Sequence, residues 1–248
     1  MAEKIAKKGT AETQPALNKK EDFILKYKNL IIGGVIAVIA IIVGIVFWTH
    51  HKAAKLEEAQ TISAVPQMSM YNAQEALMNG ITDFSDQNYM VALNGDSATK
   101  SMGFLKIADE YSSTPAGNVA NLYAGLCYAH MDKWEDAVKY LEKFNDAGDL
   151  IISPAAHAAL GNAYAHVNRL DDAVKALQQA GEKADNILQT PIYYIQAGEI
   201  LEGQGKKTEA LEMYKKVKQY EREKGINGIS QTSYYVELVD EYIARLEQ

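Results

Sequence analysis

Apolar and small residues recur along this chain at helical spacing, in blocks that copy one another. One block sets Gly125, Tyr128, Ala137 and Leu141 in order; the frame returns as Gly161, Tyr164, Ala173, Leu177 and again as Gly198, Leu201, Ala210, Tyr214. The step from glycine to alanine is twelve residues each time, and successive units start 36 and 37 residues apart. Two antiparallel helices approach closely only where neither carries a bulky side chain at the crossing, so the pattern predicts stacked helix pairs. Their predicted bounds are 115–131 with 133–146, 154–167 with 170–183, and 191–204 with 207–223. Three boundaries share one device: Thr114-Pro115, Ser153-Pro154 and Thr190-Pro191 each offer a hydroxyl at N-cap and a proline at N1. Pro115 lies ten residues before its glycine and the other two prolines seven, so the first helix should begin nearly one turn earlier.

Gly103 and Ile107 hold the places of Ala137 and Leu141, which predicts an incomplete first repeat, its helix capped by Asp96 or Ser97 and reaching Tyr111. At the other end the break at 225–228 and a cap at Ser230 predict a last helix. Tyr235, Val239, Ile243 and Leu246 line one side of it, and Glu237, Asp240, Glu241 and Glu247 cover the others. Such a helix closes the open end of a solenoid. The expected fold class is all-α.

Residues 30–48 read differently. This stretch of nineteen has no charged residue and thirteen Leu, Ile, Val or Phe; as a helix it would extend about 28 Å, close to the hydrocarbon thickness of a bilayer. Phe47 and Trp48 suit an interfacial anchor. The run is longer than the apolar core of a cleaved signal and ends in bulky Phe47-Trp48-Thr49-His50 where a cleavage site needs small residues, which favours an uncleaved anchor. Seven lysines precede it, from Lys4 to Lys28, and only Lys52 and Lys55 follow closely, so the positive-inside rule keeps the N-terminus cytoplasmic and puts the repeats outside. Gly33, Ala37, Ala40 and Gly44 form a small-residue stripe that suits a helix contact in the membrane. The expected organisation is a disordered cytoplasmic tail over 1–28, a transmembrane anchor over 29–49, a juxtamembrane helix and loop over 50–96, and the repeat domain over 97–248. Within 50–96, Pro66 reads as a break, Gly80 as a stop, and 83–96 as a turn-rich loop.

Charge sharpens the division. The net charge is −7, yet residues 1–28 hold seven lysines against four acids, leaving 18 basic and 28 acidic residues for the rest. An acidic body without clustered Lys or Arg excludes nucleic-acid binding. The single cysteine, Cys127, reads as a buried small side chain. His50, His51, His130, His157 and His166 have no metal-ligand spacing, and no cofactor is implied. His130 and His166 occupy equivalent repeat positions. Glu135-Asp136 and Asp171-Asp172 open second helices, where negative charge suits the helix dipole. No phosphate loop, nucleophile elbow or Cys–His pair is present, so the expectation is that the protein is not an enzyme.

The segment from Tyr123 through Gly125, Trp134 and Ala137 to Leu141, with Leu160-Gly161-Asn162-Ala163-Tyr164 and Asp171-Asp172-Ala173-Val174 after it, resembles the tetratricopeptide repeat. The resemblance covers about residues 98–223. It implies a right-handed tetratricopeptide-like helical solenoid of about three and a half repeats plus a C-terminal capping helix, after a single transmembrane helix. Units of 36 and 37 residues exceed the usual 34, pointing to longer turns at 145–153 and 181–190. Leu201 and Lys207 make the third unit the most divergent.

The resemblance carries groove positions onto Leu122, Leu126 and Ala129; Ala158, Asn162 and Ala165; and Ile195, Glu199 and Glu202. That wall is small and apolar with acids at one end, which suits an apolar helix or extended segment and does not suit a C-terminal carboxylate. The alternative is a groove filled by the terminal or juxtamembrane helix. The layout as a whole resembles the YfgM-like ancillary subunits of the bacterial Sec translocon. That resemblance implies a single-pass inner-membrane protein with a periplasmic repeat domain, whose partners are the translocon, a periplasmic chaperone or a nascent chain. Homo-oligomerisation through residues 33–44 is a further option. The competing reading is a scaffold of another envelope complex, in division or secretion, and a mitochondrial outer-membrane receptor with an N-terminal anchor shares the layout.

Overall fold

A computed structural model describes the backbone of residues 14–224 and 234–248 and the side chains of 40–220, 222 and 235–248. Helix α1 (Gln14–Met78) leads into α2 (Thr82–Asn94), a two-residue strand pair β1 (Gly95–Asp96) and β2 (Ser101–Met102), and α3 (Phe104–Glu110). Then come α4 (Pro115–His130), α5 (Trp134–Leu141), α6 (Ile152–His166), α7 (Leu170–Ala184), α8 (Thr190–Gly203), α9 (Lys207–Lys224) and α10 (Tyr234–Leu246). The chain divides into two units, Met1–Ala54 and Lys55–Gln248.

In the first unit the side chains from Ala40 onward are exposed, among them Ile41, Phe47 and Trp48. Among the described residues no helix is long and apolar enough to cross a membrane. The side chains of 30–39, the first part of the expected span, lie outside the described set, as do those of Gly33 and Ala37. Ala40 and Gly44 are exposed, with open space beside Gly44.

The second unit opens with the end of α1. Ala59, Ser63, Pro66, Ala73 and Ala76 are buried at spacings of three, four and seven, one stripe of small side chains on a helical face. The expected break at Pro66 does not occur: α1 runs through it, with the ring fully buried. Burial of the ring offsets the backbone hydrogen bond that proline cannot make. The stop at Gly80 does occur; its φ of +74° is the left-handed turn that a residue without a β-carbon adopts freely.

The expected loop at 83–96 is helical as far as Asn94. Ser85, Tyr89, Ala92 and Leu93 form the buried face of α2 at intervals of four, three and one, and that periodicity outweighs the turn-forming composition around it. Asp96 does not cap a helix. It sits in the strand pair, where its carboxylate accepts from the Ala98 amide at 2.9 Å, and α3 starts only after Gly103. Gly103, Phe104 and Ile107 are buried as Ala137, Val138 and Leu141 are, so the incomplete repeat is present with a shortened second helix.

The paired helices follow, with α5 ending at Leu141, five residues short of the expected 146. α4 with α5, α6 with α7 and α8 with α9 pack in sequence. In each pair the glycine of the first helix makes room for a side chain of the second. A β-carbon on Gly125 would lie 2.5 Å from Leu141 Cγ, one on Gly161 would lie 2.7 Å from Leu177 Cγ, and one on Gly198 would collide with the Tyr214 ring. The turn within each pair has the same form. Lys133, Arg169 and Lys206 donate their amides to the carbonyls of Tyr128, Tyr164 and Leu201, and Asp132, Asn168 and Gly205 take positive φ between them.

Thr114 caps α4 as expected, accepting from the Gly117 amide at 3.1 Å. Ser153 and Thr190 do not cap; they lie inside α6 and α8. Asp149 accepts from the amides of Ile151 and Ile152 instead, and Asn186 from those of Leu188 and Gln189. Because α6 starts before its proline, α4 gains only one or two residues over its successors, less than the expected turn. α10 buries Val239 and Leu246 against α8 and α9, with Tyr235 and Ile243 partly buried beside them. Ser230 and the break at 225–228 lie outside the described residues.

Candidate partner-binding groove

The close approach fixed by the three glycines sets which side chains of α4, α6 and α8 remain for a partner. Leu122, Ala158 and Ile195 are nearly fully buried and belong to the core. Leu126, Ala129 and Ala165 are half-buried and pack in one cluster with Leu122, while Asn162 is exposed. Ala158 and Ile195 instead share a cluster with Val239 and Leu246 of α10. The nine expected positions therefore split: Leu122, Ala158 and Ile195 are covered, Leu126, Ala129, Ala165 and Glu202 are partly exposed, and Asn162 and Glu199 are exposed.

Side-chain bonds join the acids of α8 to the terminal helix. Arg245 donates to both carboxylate oxygens of Glu202 at 2.7 and 2.8 Å, and Tyr214 donates its hydroxyl to Glu202 at 3.1 Å. Tyr242 donates to Glu199 at 3.1 Å. Burial, with Glu202 alongside, pushes the Tyr214 hydroxyl well above its ordinary value. The acids at the end of the wall thus engage the terminal helix.

The histidines act as ring surfaces. His166 stacks on Trp134 with centroids 3.6 Å apart, and His130 stacks on Tyr89 at 4.8 Å. Burial holds His130 below the usual imidazole value. His157 faces Asp146 at 3.2 Å. Cys127 is fully buried, and burial pushes its thiol up to about 12. Among the described residues no group of His, Cys, Asp or Glu could hold a metal ion. Glu135, Asp136, Asp171 and Asp172 open α5 and α7. Asp171 also accepts from Lys206 at 2.6 Å and Gln204 at 2.9 Å, tying the start of α7 to the next turn.

Sequence reading missed a second concavity. Gln60, Ser63 and Gln67 of α1 face Phe104, Pro115 and Tyr123 across a cavity of about 240 Å³. It also missed the residues that fix the turns, Asn118, Asp146, Asp149 and Asn186. An Asp or Asn four residues before Ser153 and Thr190 was the available signal.

Stacked antiparallel helix pairs in one frame, closed by a terminal helix, define the class as a helical-repeat solenoid. A family described as a tetratricopeptide repeat-like domain matches residues 21–232, and the chain belongs to that family. No curated protein matches the chain. Among solved structures it is similar to nearly identical TPR-like repeats of a protein assigned as a Podosopora anserina kinesin light chain. That match has 14% identity and a TM-score of 0.53, and covers 75% of this chain and 87% of the other. It is also similar to MamA, at 16% identity and a TM-score of 0.39, over 71% of this chain and 92% of that one.

Proposed function

We propose that the protein is a membrane-anchored, non-catalytic interaction module, an ancillary subunit of the Sec translocon or a recruiter of a periplasmic chaperone beside it. In this reading residues 29–49 span the inner membrane once, the N-terminus is cytoplasmic and the repeats are periplasmic. The observation that carries the binding role is the stretch Leu126, Ala129 and Ala165, which stays partly exposed at the margin of its core cluster. Repeat solenoids present such walls to other proteins. The uncharged run at 30–48 and the lysines before it support the anchor.

A second reading, a scaffold of another envelope complex with a self-occupied groove, is favoured by the bonds of α10 to Glu199 and Glu202. Photocrosslinking in intact cells from Leu126, Ala165 and Ala37, with mass spectrometry of the captured chains, separates the two. Translocon chains at Ala37 together with chaperone or nascent chain at the groove support the first. Self-adducts alone support the scaffold.

A further inference from the structure

The turns leading into α6 and α8 are built alike and held firmly. In the first, Asn118 bonds the backbone of Asn145 as donor and acceptor, both at 2.7 Å. Asp146 accepts from Lys183 at 2.5 Å, and Ser153 donates to Asp149 at 2.7 Å. In the second, Asn186 accepts from Leu188 at 2.9 Å, and its own amide donates to Thr190 at 3.1 Å. Yet Leu150, Ile151 and Leu188 stand 62, 72 and 66% exposed, with Ile152, Ile187 and Ile192 exposed beside them. With the backbone of both turns bonded in this way, the aliphatic side chains are displayed on ordered segments, so a partner that covers them orders little further backbone on binding.

The surrounding charge selects the partner. Asp149 and Asp185 flank the tips, Lys183 is engaged by Asp146, and Lys216 faces Glu182 at 3.6 Å. Such a surface repels anionic lipid and attracts cations. α6, α7 and α8 pack in succession, and Asp146 of the first turn bonds Lys183 beside the second, so the two turns are neighbours that one helix can touch together. We infer that these two turns form a docking ridge for the apolar face of a basic amphipathic helix. The ridge is separate from the groove along α4 and α6.

The test titrates the full chain with a labelled synthetic helix of leucine and lysine, beside a matched leucine–glutamate helix and phosphatidylglycerol vesicles. The variants are the double substitution Ile151→Ser with Leu188→Ser, at exposed sites, and Asn162→Arg, which obstructs the groove. Matching circular dichroism and melting curves establish that each variant is folded. The wild type and Asn162→Arg should bind the leucine–lysine helix at least about tenfold more tightly than the double variant does. Equal binding by the double variant overturns the ridge, and loss in Asn162→Arg alone assigns the helix to the groove. Preference for the leucine–glutamate helix overturns the charge argument. Vesicle binding or self-association that disappears in the double variant makes lipid or a second copy the occupant and likewise overturns the proposal.

Discussion

Leu141 Cγ lies 2.5 Å from where a β-carbon on Gly125 would sit, sixteen residues earlier in the chain. The helix crossing therefore depends on a missing atom. Gly125→Ala should destabilise the domain by about 1–3 kcal/mol through overpacking, against about 1 kcal/mol gained in helix propensity. Gly203 has open space around it, so Gly203→Ala should be neutral or stabilising by up to about 1 kcal/mol. Urea melts of both variants check the contrast, and equal effects would remove the crossing argument.

The terminal helix is held chiefly by its apolar side. Val239 is fully buried, whereas Arg245 is more than half exposed. Val239→Ala should cost about 2 kcal/mol. Arg245→Ala should leave the melting midpoint nearly unchanged, because an exposed ion pair contributes little. A large shift from Arg245→Ala would show that the cap rests on its polar bonds.

Cys127 should be inert in the native state. With no exposure and a thiol pushed up to about 12 by burial, it presents almost no thiolate near neutrality. A thiol-reactive dye at about pH 8 should label the chain only after unfolding. Rapid labelling of folded protein would show that α4 opens locally.

The turn before α6 should weaken in acid. The Ser153 hydroxyl, foremost, holds Asp149 down to about 2 from an ordinary 3.8. Asp146 is lowered too, mainly by Lys183. A depressed carboxylate contributes stability that is complete above its unfolded value and is lost as pH falls through the folded one. For Asp149 the loss runs from 3.8 down to about 2. Asp149→Asn should flatten that part of the stability profile in equilibrium melts, and an unchanged slope would contradict the assignment.

The repeat frame was legible because its signals are local and recur: the twelve-residue step fixed the helix pairs, and Val239 and Leu246 fixed the closing face of α10. Failures occurred where tertiary burial overrides local preference. Pro66 and α2 carry breaker and turn residues, and only the packing of Ala59, Tyr89 and Leu93 in one core explains why both are helical. The groove was legible as a set of positions but not as an open surface, since covering Ile195 depends on a helix more than forty residues downstream. Ser153 and Thr190 look like caps beside their prolines, yet the acceptors of the turn amides lie four residues earlier, in Asp149 and Asn186.

The carboxamide of Asn118 gives Asn145 the same donor and acceptor that a neighbouring peptide unit would. The long turn is thereby moored to the helix before it as well as to the two helices it joins. Beyond that mooring Asp146 reaches Lys183 of α7 and Asp149 holds the start of α6, so the extra residues of a long unit are tied to three helices and the added length is carried as ordered surface.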